Sequence, residues 1–351
     1  MGANRTTSAD VAAEAGVSRT TVSLVLNDSP GVSISDATRK RVREAAERLG
    51  YHPHHSARGL AGGKSHTLGL VLRQTPEQVA SDAFLPQTLR GVVAAARQSR
   101  YRVLVEPVAP GHDRYIDLAR SGRTDGLVVS GPRVDDDDDL ALVTADGFPI
   151  VIQGSLPGSA TPSVDIDNLA SARLAVEHLV SLGHRRIACI TNAPLVYTAA
   201  RDRLSGFQVV MAEAGLKTPD ELIVEGAFDA PSGRHAMESL LAGTPPTAVF
   251  VASDIVALGA IAAINDAGLS VPGDISVIGF DDVPLAAYFD PPLTTIRLPA
   301  FELGLATGRA LLDRIAGRDV PARTLLPTEL VVRASTSPPA GHSGEVGRPS
   351  G

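Results

Sequence analysis

At 351 residues, 44% hydrophobic and 20% charged, the chain is too long for one ordinary domain and can bury more than one sizeable core. It contains no run of about 18 uncharged apolar residues, which excludes a helical membrane span. The net charge of −7 is uneven: residues 1–64 hold nine Lys/Arg against six Asp/Glu, a net of +3, and the remainder 23 against 33, a net of −10. Contact with a phosphate backbone is therefore expected from the N-terminal segment alone.

That segment has the punctuation of short helices. Thr7 and Asp10 stand at the spacing of a capping box, Val11, Ala12 and Ala15 follow at helical spacing, and Gly16 can take the positive φ that ends a helix abruptly. Ser18 can cap a second helix in which Val22, Val25 and Leu26 form a buried stripe. Arg19, Thr20, Thr21, Ser23 and Leu24 are left near the opposite face or the N-terminal end, the arrangement of a helix-turn-helix. Ser35 caps a third helix running to about Leu49, with Val42, Ala45, Ala46 and Leu49 inward and Arg39, Lys40, Arg41 and Arg43 towards solvent or phosphate. Gly50 stops it, and 51–64 reads as a linker holding about two helical turns, with His52, His54 and His55 able to add positive charge. Gly62-Gly-Lys-Ser65 is no phosphate loop, because Arg58 stands where its first glycine is required.

From Thr67 onward short β runs alternate with helices of about a dozen residues, the α/β pattern of parallel sheets. Residues 67–72, 101–105, 125–129 and 149–152 read as strands of a first lobe, and 186–191, 248–252 and 275–279 as strands of a second. Leu169–Leu182 and Ile255–Ala267 have helical periodicity, and the Gly/Pro/Ser-rich stretch 337–351 reads as a disordered tail. The single Cys189 lies in an apolar run as a core residue, and the N-terminus has no apolar signal core, so a reducing cytoplasm is the expected location. The acidic run 135–139 reads as a solvated loop or helix start. No pairing of His and Cys has zinc spacing and no nucleophile motif stands out, so neither enzyme activity nor a metal nor a cofactor is expected.

The segments Asp10–Ser18, Thr21–Asn27 and Ser35–Tyr51, followed by Asp165–Asn168, Val176–Ile187, Val251–Asp254, Gly279–Pro284 and Pro291–Ile296, closely resemble the LacI/GalR family of transcription regulators. The resemblance spans nearly the whole chain. It implies a helix-turn-helix head (1–51), a hinge helix or linker (52–64), and a periplasmic-binding-protein-like body of two parallel-sheet lobes (65–336) with several crossovers. In it 294–316 returns to the first lobe and 324–332 crosses back. The implied function is a repressor that binds a palindromic DNA operator as a homodimer, under control of a small, carbohydrate-like effector.

In such a regulator Arg19 and Thr20 read bases, Arg19 with two hydrogen bonds to guanine or, alternatively, with phosphate alone. Thr21 and Ser23 meet phosphates, Leu24 can touch a thymine methyl, Asn27 caps its helix, and the cap residues Thr7 and Ser18 complete the DNA-facing set. Leu60 matches a minor-groove wedge at a central CpG, Ala57 faces the dimer mate, and Gly59 costs roughly 1 kcal/mol of helix propensity in that hinge. The effector set is Arg73, Phe84 and Leu85 on the first lobe and Arg203, Phe228, Ser253 and Asp281 on the second or its seam. Core packing is the alternative for Phe84 and Phe228, local ion pairing for Arg203, and turn capping for Asp281 and Asp282. Arg73 leaves an acidic or phosphorylated sugar open. The competing function is a solute-binding sugar-transport receptor with the same two-lobed body, against which the basic head argues.

Overall fold

The computed structural model describes residues 6–26, 33–51, 64–108, 115–135 and 137–340, and the chain divides into two compact units, Met1–Ser65 and His66–Gly351.

The first unit holds α1 (Ser8–Ala15), α2 (Arg19–Leu26) and α3 (Asp36–Arg48). Thr7 and Asp10 form the expected capping box: Asp10 N donates to Thr7 Oγ1 at 3.4 Å and Thr7 N to Asp10 Oδ2 at 2.8 Å. Gly16 closes α1 in the left-handed region at φ 64°, which a residue with a Cβ adopts only under strain. Thr21 N donates to Ser18 Oγ at 3.0 Å and Thr38 N to Ser35 Oγ at 3.3 Å, so all three helices begin on a hydroxyl cap. Val11, Val22, Val25, Val42 and Ala45 fill a small core among the three.

The second unit begins with β1 (Thr67–Leu72), α4 (Pro76–Ser81), α5 (Leu85–Gln98), β2 (Arg102–Pro107), α6 (Tyr115–Arg120), β3 (Gly126–Ser130) and α7 (Asp137–Ala145). Next come β4 (Ile150–Gln153), β5 (Ser163–Ile166), α8 (Asn168–Ser181), β6 (Ile187–Ile190), α9 (Thr198–Glu213), β7 (Ile223–Val224) and α10 (Ala230–Leu241). It ends with β8 (Ala248–Val251), α11 (Asp254–Asp266), β9 (Ser276–Asp281), β10 (Thr294–Arg297), α12 (Ala300–Ile315), β11 (Arg323–Leu326) and β12 (Glu329–Val331). The strands form two sheets, β11-β5-β4-β3-β1-β2 and β12-β10-β9-β8-β6-β7, one per lobe. All described pairings are parallel except β10 with β12, where the expected all-parallel pattern gives way to an antiparallel edge strand.

Central strands such as Ile150–Gln153 and Ala248–Val251 are buried at every position, as parallel strands covered on both faces must be. The chain passes between lobes at β5–α8, β10–α12 and β11–β12. The segment 294–316 thus divides: β10 stays in the second sheet and only α12 packs on the first lobe, against α5. That crossing depends on absent side chains. A Cβ on Gly91 would stand 2.1 Å from the Phe301 carbonyl, and one on Gly304 2.1 Å from that of Thr88.

Cys189 is fully buried in β6, where burial pushes its thiol up. Ser337 is no part of a loose tail, since its amide donates to Ser276 Oγ at 3.0 Å and its carbonyl lies 2.9 Å from His184 Nε2. Residues 341–351 lie outside the described residues.

Candidate functional site

In the head, completing the core with Val22 and Val25 turns the other side of α2 outward. Ser18, Arg19 and Thr20 are exposed, and Thr21, Ser23 and Leu24 are half-buried. Thr21 Oγ1 lies 2.9 Å from Ser18 Oγ, so both hydroxyls already serve the cap. Thr7 is likewise bound to Asp10, whose carboxyl its amide and hydroxyl hold below the usual range. Lys40, Arg41 and Arg43 of α3 are exposed and Arg39 is half-buried. Asn27, Ala57, Gly59 and Leu60 lie outside the described residues.

In the body, a cleft of about 140 Å³ lies between the lobes. Its walls follow the carboxyl ends of the strands, where open α/β sheets place their ligands. The first lobe supplies Gln74 and Asp82 after β1, Gln153 at the end of β4, and Asp165 in β5. The second supplies Asn192 after β6, Ser253 after β8 and Asp281 at the end of β9. Six of the seven expected effector residues line this one space: Phe84, Leu85, Arg203, Phe228, Ser253 and Asp281.

Arg73 does not line it. Leu72, the last residue of β1, and Gln74 do, with Arg73 in the bend between them. The Arg73 guanidinium instead donates to the Val108 carbonyl at 3.0 Å. Its charge therefore gives no support to an acidic or phosphorylated ligand.

Arg203 anchors the second-lobe wall. Its Nε donates to Asn168 Oδ1 at 2.9 Å and its Nη1 to the Ala252 carbonyl at 2.7 Å, while the guanidinium carbon lies 3.7 Å from the centroid of the Phe280 ring. Nη1 also lies 3.7 Å from Asp281 Oδ1, so the pairing of Arg203 is tertiary rather than local. Burial pushes the Asp281 carboxyl up to about 7, the Asp82 charge adds to this, and Arg203 and the Ser253 hydroxyl oppose it. Asp281 and Asp282 sit at φ 117° and 53°, two consecutive residues in a region that costs energy outside glycine. Their side chains part company: Asp282 is paired with Arg333 at 2.6 Å and Arg297 at 2.7 Å, whereas Asp281 faces the cleft.

Burial likewise pushes Asp165 up to about 6, although it accepts from Ile166 N at 2.8 Å and Asn168 Nδ2 at 3.2 Å. Asp82 is raised by burial as well, against bonds from Gln74 Nε2 at 3.1 Å and from the amides of Phe84 and Leu85 at 2.9 and 3.2 Å. Phe228, at φ 70°, meets Tyr197 edge to face at 4.9 Å, so it both packs and lines the cleft.

Sequence reasoning missed Asp82, Gln153, Asn168 and Asn192. Asp82 carried a local signal, an acid three residues before a helix whose first turn contains Pro86. Gln153 and Asn192 stand at strand ends and Asn168 opens α8, and the sequence does not show that these places converge. Among the described residues no group of three or more His, Cys, Asp or Glu is placed to hold a metal ion, and no helix is long and apolar enough to cross a membrane.

A three-helix DNA-reading head and a two-lobed body with an interlobe cleft define a DNA-binding transcription regulator with a periplasmic-binding-protein-like domain. Two family models match: the one for bacterial regulatory proteins of the lacI family at residues 7–54, and the one for a periplasmic-binding-protein-like domain at residues 176–336. The HTH-type transcriptional repressor CytR of Escherichia coli K12 is 35% identical over 334 residues, 93% of this chain and 95% of that protein. The Lac repressor dimer bound to operator and the anti-inducer ONPF superposes with a TM-score of 0.82 at 33% identity, covering 95% of this chain and all of the other. A CelR–cellobiose complex gives 0.72 at 33% identity over 94% of this chain. The chain belongs to the LacI family of DNA-binding transcription regulators; its relatives are repressors, not enzymes.

Proposed function

We propose that this protein is a cytoplasmic repressor that binds a palindromic operator as a homodimer and whose affinity for DNA is set by a small carbohydrate-like effector in the interlobe cleft. The observation that carries the reading is the exposure of Arg19 and Thr20 at the N-terminal end of α2 while the head's own core is complete. Those side chains read base edges in the major groove, Thr21 and Ser23 approach phosphates, and Leu24 meets a thymine methyl. Leu60 wedges into the minor groove at a central CpG and Ala57 faces the dimer mate. The CelR relative, described in complex with cellobiose, supports a sugar in the cleft.

Selection of sites from a random duplex pool by the full-length protein tests the reading. A palindrome with a central CpG is the expected product. Leu60→Ala should then weaken specific binding far more than nonspecific binding. Equal losses, or enrichment of asymmetric sites only, would refute the wedge and the dimer respectively.

A further inference from the structure

The hydrogen-bonding inventory of the cleft is lopsided. Its side-chain donors are largely committed inside the protein: Arg203 to Asn168 and Ala252, Gln74 to Asp82, Asn168 to Asp165, and Gln153 Nε2 to Ser130 Oγ at 3.3 Å. The Tyr197 hydroxyl, also on the lining, donates to the Arg73 carbonyl at 2.6 Å. The carboxyl oxygens accept internal bonds as well, but some of its amide acceptors are left open. Gln153 Oε1 and Asn192 Oδ1 are buried without a hydrogen-bond partner, and both residues line this cavity. Gln153 is only 4% exposed, and an acceptor enclosed to that degree favours a ligand that brings a donor to it. Charge leans the same way, because among the described residues Arg203 is the only Lys or Arg on the lining and it stands against Asp82, Asp165 and Asp281.

We propose that the cleft selects a donor-rich ligand without negative charge. It would be a polyhydroxylated or amine-bearing small molecule whose O–H or N–H hydrogens bridge Asp82 of the first lobe and Asp281 of the second and satisfy Gln153 Oε1. An anionic form of the same skeleton meets three carboxyl groups against one cation that already bonds Asn168 and the Ala252 carbonyl, and it is excluded. The inference rests on the cleft being the effector site and adds the rule by which that site chooses.

The test is calorimetry on the full-length protein with three panels. Glucose, cellobiose, ribose and adenosine are neutral; glucosamine and galactosamine are cationic; glucose 6-phosphate, glucuronate, ribose 5-phosphate and AMP are anionic. Saturable binding is expected only in the first two, and which of them binds tighter separates hydroxyl from ammonium recognition. Asp82→Asn keeps an acceptor for the amides of Phe84 and Leu85 and should weaken the bound ligand by about tenfold or more. Gln153→Met, which removes the orphaned acceptor without touching a charge, should weaken it by about fivefold or more. An anion that outbinds its neutral parent, or affinities unchanged in both variants, overturns the selection rule and leaves the effector site standing. Silence across all three panels overturns the effector site itself.

Discussion

Arg203→Met isolates the electrostatics of the cleft wall. Methionine approximates the volume of the arginine stem but removes a guanidinium that is 6% exposed and bonded to Asn168 Oδ1 and the Ala252 carbonyl. Two buried acceptors lose a charged donor, each worth roughly 1.5–3 kcal/mol, and Asp281 loses the cation 3.7 Å from its carboxyl oxygen. These losses overlap, and breaking a buried pair from one side costs about 3–5 kcal/mol in total. We expect the body to lose that amount near pH 8, measured by urea unfolding. Near pH 5.5 Asp281 is protonated in both proteins and the loss should shrink by up to about 1.4 kcal/mol, the limit set by a wild-type carboxyl at about 7. Arg203→Met combined with Asp281→Asn should be more stable than Arg203→Met alone at the higher pH, because the unpaired charge is gone. A single-variant loss below about 1 kcal/mol, or one identical at both pH values, would show that Arg203 does not neutralise Asp281.

Asp281 also makes a linkage prediction. Its folded carboxyl is raised to about 7 from an ordinary 3.8, so its contribution is present at low pH and is lost as pH rises towards 7. His178 and His184, depressed by burial, act oppositely, so the clean readout is the difference between the wild type and Asp281→Asn. The wild type should gain up to about 1.4 kcal/mol per pH unit on that variant as pH falls from about 7 to 5. Gly304→Ala should cost more than about 2 kcal/mol of thermal stability, because the new methyl meets the Thr88 carbonyl, a backbone atom that cannot rotate aside. Arg19→Ala should lose roughly 1–3 kcal/mol of discrimination at one base pair; equal weakening across all single-base operator variants would assign Arg19 to phosphate.

What was legible in the sequence divides by the range of the interaction. Helix starts at Thr7, Ser18 and Ser35 are written in residues three apart, and each appears as a hydroxyl cap. The buried parallel strands are written as apolar runs, and their ends shift by only a residue or two. Strand β5 escaped because Asp165 interrupts its apolar pattern, and β7 because two residues carry no period. The resemblance brought six effector candidates to one cleft but not Arg73, which lies in the bend after β1 with its guanidinium held by the Val108 carbonyl. The polar lining, Gln153 and Asn192 above all, was illegible. Whether a buried amide oxygen is an open acceptor depends on what every neighbouring donor already holds.

The lobes are also joined without any ligand. Val134 N donates to the Val196 carbonyl at 2.9 Å, Thr198 N to that of Pro132 at 3.2 Å, and the Tyr197 hydroxyl to that of Arg73 at 2.6 Å. Each bond ties a segment following β3 or β1 to the segment that leads into α9. With the Thr198 hydroxyl donating to the same Pro132 carbonyl at 3.3 Å, these bonds, at about 1 kcal/mol each, offset much of the entropic cost of holding the lobes together. A bound molecule then changes the balance of open and closed lobes only by its differential affinity for the two states, however tightly it binds either one. Phe84 lies on one lobe and Phe228 on the other, so their contacts are lost together when the lobes part, and the same holds for a bridge from Asp82 to Asp281. A ligand touching only one lobe would leave the balance where these bonds set it. The capacity to switch therefore resides in groups divided between the lobes, and Arg203, wholly bonded within the second, serves to hold Asp281 in place for that bridge.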